Sequence, residues 1–314
     1  MTALDQLARR GLVPDGARLD VQPLAGGVSG EVFAVTGPGV DLVVKRALGR
    51  LRVSEEWLAD PGRIATEARA LRLAASLTPG SVPEVVDLAD GYLVLRRAPR
   101  SWTNWRDDLL GGAVDPTVAR RLGQMLGAWQ RRTADDPALR DGFADRTAFT
   151  QLRVDPFHRT AAARHGDVAA VVDATVEQML ATRACLVHGD FSPKNVLTGW
   201  GRMWVLDWEV AHVGDPTFDP AFLLTHLLLK SVHRPEAAGA YGACAREFLD
   251  AFAGTAYDPA QLVRQVGCLL LARVDGKSPA GYLTARGQER VRALGRRVLL
   301  DGAGGVLDLW AMLG

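Results

Sequence analysis

Up to about residue 98, apolar residues fall in short runs separated by turn residues; beyond it they recur at helical spacing. The first part predicts a short helix and turn over residues 1–20. Strands follow at Val21–Leu24, Glu31–Thr36, Asp41–Lys45, Val82–Leu88 and Tyr92–Arg96, punctuated by Gly37-Pro38-Gly39 and Ala89-Asp90-Gly91. One helix, over 62–77, interrupts them, with an apolar stripe of Ile64, Ala68, Leu71 and Ala75. Glu67 lies on that stripe, and a buried carboxylate without a partner is strongly destabilising. Lys45, delivered by the third strand, is the ready candidate; a partly solvated glutamate is the bland alternative. The second part predicts helices over 116–132, 168–182, 215–230, 236–252, 259–272 and 283–299. The expected fold class is therefore α+β in two lobes. Residues 1–98 hold a five-stranded antiparallel sheet with one main helix, and residues 99–314 form a mostly helical lobe. Trp102 and Trp105, at the junction, read either as packing or as walls of a cleft.

The polar interruptions carry the chemistry. Residues 186–209 read LVHGDFSPKNVLTGWGRMWVLDWE. Two apolar runs around Gly199-Trp200-Gly201-Arg202 predict a hairpin with a four-residue loop. Pairing Thr198 with Met203 sets Asn195 against Leu206 and Asp207 opposite Lys194. With Glu209 two residues further on, three carboxylates (Asp190, Asp207, Glu209) and one amide converge. Such a cluster repels itself unless a cation neutralises it, and oxygen-only donors suit Mg²⁺ before Zn²⁺. Upstream, Ala25-Gly26-Gly27-Val28-Ser29-Gly30 joins the first two strands. Its glycines let backbone N–H groups approach an anion, although alone it reads as an ordinary glycine-rich hairpin.

HGDFSPKN followed by DWE resembles the catalytic loop and metal motif of the aminoglycoside phosphotransferase and methylthioribose kinase families, which share the protein-kinase-like fold. The family pattern, H-G-D-x-x-x-x-N and then D-x-D/E, is complete. The resemblance implies an ATP-dependent kinase acting on a hydroxyl of a small sugar-like or amino-alcohol acceptor. Asp190 would accept the hydroxyl's proton and Lys194 would neutralise the transferring group. Asn195 and Asp207, assisted by Glu209, would hold Mg²⁺. ATP would lie against Gly26, Gly27, Ser29 and Gly30, with Lys45 paired to Glu67 orienting its phosphates and the hinge at Leu95–Ala98 binding adenine. Asp190, Glu209, His212, Arg273 and Lys277 are the candidate acceptor contacts; His212 also reads as a structural histidine, and the 273–279 loop as a solvated turn. His188 is expected to brace the loop, as is Asp219, and Asp215 to cap a helix entered through Pro216. The catalytic loop departs from methylthioribose kinases at Phe191, Pro193, Lys194 and Asn195.

Composition narrows the partners. A formal net charge of +1 offers no global field for nucleic acid or an acidic membrane. The densest apolar run, Phe222–Leu229, is too short to span a bilayer. The N-terminus lacks the apolar core of a signal peptide, and three scattered cysteines (Cys185, Cys244, Cys268) fit no disulfide framework, so a reducing cytoplasm is expected. The expected partner is a small hydroxylated acceptor, bound by a monomer or homodimer. Three competing readings remain: an aminoglycoside-type antibiotic phosphotransferase, a nucleotide-binding pseudokinase, and a metal-dependent hydrolase built on His188, Asp190, His212 and Asp215.

Overall fold

A computed structural model describes residues 3–14, 16–24, 29–52, 57–134 and 136–313. Helix α1 (Ala3–Arg9) precedes strands β1 (Asp20–Pro23), β2 (Gly30–Gly37) and β3 (Val40–Ala47). Helix α2 (Arg63–Leu77) leads to β4 (Val85–Ala89) and β5 (Tyr92–Arg96). The five strands form one antiparallel sheet in the order β1-β2-β3-β5-β4. Its two faces follow the period-2 alternation of a strand. On β3, Leu42 and Val44 turn to one side, where Leu7 of α1 and Val94 pack. Ala47, with Leu93 and Leu95 of β5, turns to the other, against Ile64, Ala68 and Leu71 of α2. Lys45 shares this second face, which aims it at α2.

Past the sheet come β6 (Thr103–Asn104), α3 (Trp105–Gly111), α4 (Pro116–Thr133), α5 (Pro137–Gly142) and α6 (Thr147–Phe149). A π-helix over Thr150–Arg159 runs on into α7 (Thr160–Arg164), then α8 (Ala169–Ala181) and β7 (Cys185–Val187). Strands β8 (Val196–Gly199), β9 (Arg202–Val205) and β10 (His212–Gly214) precede α9 (Phe218–His233), α10 (Ala238–Ala251), α11 (Pro259–Asp275), α12 (Ala285–Asp301) and α13 (Asp308–Ala311). Helix α9 is buried on all sides from Phe218 to Val232, so its apolar residues need no single stripe. Asp115 and Asp258 each cap a helix that has proline in its first turn. Trp105 is fully buried, and Trp102 packs edge-on against Trp204, so both junction tryptophans serve packing. All three cysteines are buried and free.

Three expectations need correction. The β8–β9 hairpin keeps the Thr198–Met203 pairing but has a two-residue turn, Trp200-Gly201, not a four-residue loop. Both residues have positive φ (51° and 69°), the primed turn whose twist matches the flanking strands. Asp215 does not cap α9; it accepts from the N–H and Oγ1 of Thr217, and the helix starts one residue later. Finally, residues 133–167, for which no element was predicted, are largely helical among those described. Pro156 has no amide to donate and interrupts the ordinary ladder, and the chain takes the wider π spacing there.

Candidate active site

The catalytic loop leaves β7 at Val187. Gly189 has φ 80°, and a Cβ there would stand 2.8 Å from Cγ2 of Val210, so no other residue fits this corner. The buried carboxylate of Asp219 accepts the N–H groups of His188 (2.7 Å) and Gly189 (2.9 Å), which fixes the loop's entry. His188 accepts the N–H of Asp190 at Nδ1 (3.0 Å), and its Nε2 lies 2.9 Å from the Leu206 carbonyl oxygen. Both residues thus brace the loop as expected. Burial drives the His188 imidazole down to about 4.

Asp190 is 4% exposed. Its Oδ2 lies 2.9 Å from Arg153 Nη2, 2.9 Å from Lys194 Nζ and 2.8 Å from Asn195 Nδ2. Burial opposes the charge, but Arg153 and then Lys194 outweigh it and hold the carboxyl at about 2. Asn195 also donates to the Asp190 carbonyl (2.9 Å), so both its donors serve the loop and Oδ1 is what it can still offer a hard cation.

Opposite, the ammonium of Lys45 lies 2.5 Å from both Glu67 Oε1 and Asp207 Oδ1. The expected pair is present, and Glu67 is 1% exposed as its place on the α2 stripe required. Burial works against the Lys45 charge, but Asp207 and Glu67 outweigh it and raise the lysine above its ordinary range. Glu209 is held by two groups: Ser29 donates its hydroxyl to Oε1 (2.7 Å) and Arg63 donates Nε to Oε2 (2.9 Å).

The three carboxylates meet at one cavity as expected, but not as an un-neutralised cluster. Asp207 has φ 59°, so the chain does not stay extended from Asp207 to Glu209 as the strand reading assumed. Each acid is neutralised by a protein cation, and among the described residues no group of three or more His, Cys, Asp or Glu is placed to hold a metal. A magnesium site does not need one. Mg²⁺ beside a nucleotide takes one or two protein oxygens plus phosphates and water, a set that Asp207 and Asn195 can supply.

Ser29, Asp190, Lys194, Asp207, Glu209 and Arg273 lie in the wall of a cavity of about 150 Å³. Lys277 and His212 are not in that wall. His212 is 2% exposed and stacks on Phe149 with ring centres 4.1 Å apart, while its Nδ1 lies 3.0 Å from the Val210 carbonyl oxygen. It is a core histidine, which corrects its place among the acceptor contacts and removes a ligand from the hydrolase reading. Lys277 is exposed, and its backbone N–H donates to Pro156. Gly30 is the first residue of β2, paired with Ala47; Leu95 lies in β5, and Ala98 just beyond its end. Gly26 and Gly27 lie outside the described residues. Arg63, Arg153 and His226 are among the site residues that sequence reasoning missed.

Comparison with known proteins agrees with this geometry. The phosphotransferase enzyme family (APH) matches residues 20–262. Methylthioribose kinase of Citrobacter koseri is 25% identical over 242 residues, which cover 68% of this chain and 60% of that protein. The macrolide 2'-phosphotransferase MphH of Brachybacterium faecium superposes with a TM-score of 0.54 at 20% identity, covering 99% of this chain and 96% of that one. The amicoumacin kinase hAmiN, solved with AMP-PNP, Ca²⁺ and Ami, gives 0.58 at 16% identity, covering 98% and 95%. The structural likenesses show a shared kinase-like fold.

Proposed function

The chain belongs to the phosphotransferase enzyme family, and from that premise we propose that it is an ATP-dependent small-molecule kinase. It transfers the γ-phosphate to a hydroxyl of a compact sugar-like or amino-alcohol metabolite. The observation that carries this reading is a pair of clusters that share one cavity: Lys45 with Glu67 and Asp207, and Asp190 with Lys194 and Asn195, with Asp207, Asp190 and Lys194 in its wall.

Phosphoryl transfer asks the protein for in-line positioning and for cancellation of phosphate charge. A carboxylate held at about 2 is too weak a base to ionise an alcohol in advance. Asp190 therefore orients the acceptor hydroxyl and takes its proton as the new O–P bond forms and the bond to ADP breaks. Lys194 stands beside it to neutralise the transferring group. Lys45 leaves its contact with Asp207 to reach the nucleotide phosphates, while Glu67 keeps it in place. Asp207 and Asn195 would then hold Mg²⁺, which supplies charge neutralisation on the phosphates. The backbone around Ser29 and Gly30 would cover the phosphates, and the chain at Leu95–Ala98 would receive the adenine. An antibiotic phosphotransferase for polycationic substrates is less well supported, because Arg153, Lys194 and Arg273 offset Asp190, Asp207 and Glu209 in the cavity wall and leave no acidic excess.

The test is ATP consumption over a panel of pentoses, methylthioribose and aminoglycosides, beside a thermal shift with Mg·ATP. Asp190→Asn should lower turnover about a thousandfold while nucleotide still binds. Retained turnover removes Asp190 from its role, and no shift with Mg·ATP removes the kinase reading.

A further inference from the structure

Every carboxylate facing the cavity has its own cation: Arg153 and Lys194 for Asp190, Lys45 for Asp207, Arg63 for Glu209. Two further cations have no such partner among the described residues: Arg273, in the cavity wall, and Lys230, which is not in that wall. Lys230 of α9 is 1% exposed, with Nζ 5.5 Å from the ring centre of Tyr282. Arg273 of α11 lines the cavity and donates Nη1 to Ser278, while its Nε is buried without a partner. The buried hydroxyl of Tyr282 has no partner either.

His226 lies one turn before Lys230 on the same face of α9 and lines the cavity. Burial, Lys230 and Arg273 hold its imidazole well below the ordinary value, so it contributes no third charge. Burial and then Arg273 push Lys230 down to about 7, a sign of how poorly the surroundings support its charge. Packing alone is served better by leucine or methionine, which carry no desolvation cost. An anion there would satisfy the ammonium, the guanidinium Nε and the phenol together.

We propose that the acceptor carries an anionic group, a carboxylate or a phosphate ester, received by Lys230, Arg273 and the Tyr282 hydroxyl while its reacting hydroxyl lies at Asp190. This rests on the kinase reading above and narrows its substrate class. The cavity of about 150 Å³ suits a compact acceptor, smaller than the roughly 300–1,000 Å³ typical of drug-sized ligands.

Matched pairs test it: gluconate with glucitol and ribonate with ribitol for the carboxylate arm, ribose 5-phosphate with ribose for the phosphate arm. Binding is read by calorimetry and transfer by ADP release from Mg·ATP. In at least one arm the charged member should bind about tenfold or more tighter than its neutral partner. Lys230→Met should erase that preference while holding or raising the melting temperature. Tyr282→Phe, which keeps the ring, should reduce the preference several-fold, and it serves as the probe if the lysine variant does not fold. The proposal is overturned if no charged member binds better than its partner, or if the preference survives both substitutions. Charged members that bind without ever taking phosphate would defeat the kinase reading and leave the anion site standing. Phosphorylation of neutral members with no preference in binding would do the reverse.

Discussion

The Nε of Arg63 lies 2.9 Å from Oε2 of Glu209, joining the first residue of α2 to the chain just beyond Asp207. The Arg63 side chain is fully buried, and it also donates to the carbonyls of Ser29, Leu48 and Asp60. One guanidinium thus ties the end of the glycine-rich segment, the end of β3 and the start of α2 to the metal motif. Removing one partner of a buried ion pair typically costs about 3–5 kcal/mol. Arg63→Met is expected to lose stability in that range by urea unfolding and to weaken Mg·ATP binding about tenfold. Arg63→Lys should recover only part of either, because an ammonium cannot fork to four acceptors. An unchanged unfolding midpoint in the methionine variant would remove the guanidinium's structural role.

Lys45 divides one ammonium between Glu67 and Asp207, and Oε2 of Glu67 is buried with no partner at all. Lys45→Met strands that carboxylate and should destabilise the fold by about 3–5 kcal/mol. Adding Glu67→Met replaces the pair with apolar groups, so most of the stability should return. Phosphate transfer should not return, because no ammonium is left to meet the nucleotide. The two unfolding free energies, closed as a double-mutant cycle, should give a coupling above about 1 kcal/mol. A double variant as unstable as the single one would show that Glu67 draws its support from elsewhere.

The Lys45–Glu67 pair was legible because both ends of it obey a local period. Lys45 alternates out of a strand toward α2, and Glu67 sits on an apolar helical stripe, so each position states a need that the other meets. Arg63 was open to the same argument. It lies four residues before Glu67 on the same buried face, and an arginine there signals a waiting acid, but nothing local names Glu209, which is distant in sequence. Arg153 gave no periodic signal, because Pro156 forces π spacing on its segment and no regular helix template counts it correctly. Lys230 was not singled out, although it closes the most apolar run of the chain, on a helix buried all round. The three acids do border one cavity, but the extended strand expected through Asp207 does not continue, because the backbone there turns into the left-handed region. Chain direction past a strand end is set by tertiary contacts and not by hydrophobic period.

The pH dependence of stability should separate the buried histidines from the buried acids. Burial holds His188 and His212 at about 4, whereas in the unfolded chain each titrates near its ordinary value, about 6.5. Between those values the unfolded chain binds more protons, so each histidine makes stability fall as pH drops from about 6.5 to about 4, by up to about 1.4 kcal/mol per pH unit. Asp219 opposes this. Burial raises its carboxyl to about 7, so the folded chain holds a proton that the unfolded chain has released, and stability falls as pH rises through the same window. Glu67, also raised by burial, adds to that opposition. The wild-type profile is a sum of opposite slopes, and the informative quantity is a difference. His212→Phe keeps an aromatic ring against Phe149 and gives up one bond to the Val210 carbonyl. Urea unfolding from pH 4 to 7 should show the variant losing up to about 2 kcal/mol at neutral pH and gaining on wild type steadily as the solution is acidified, until it is the more stable protein near pH 4. Parallel profiles for the two proteins would mean that His212 takes up its proton at the same pH in the fold as in the unfolded chain.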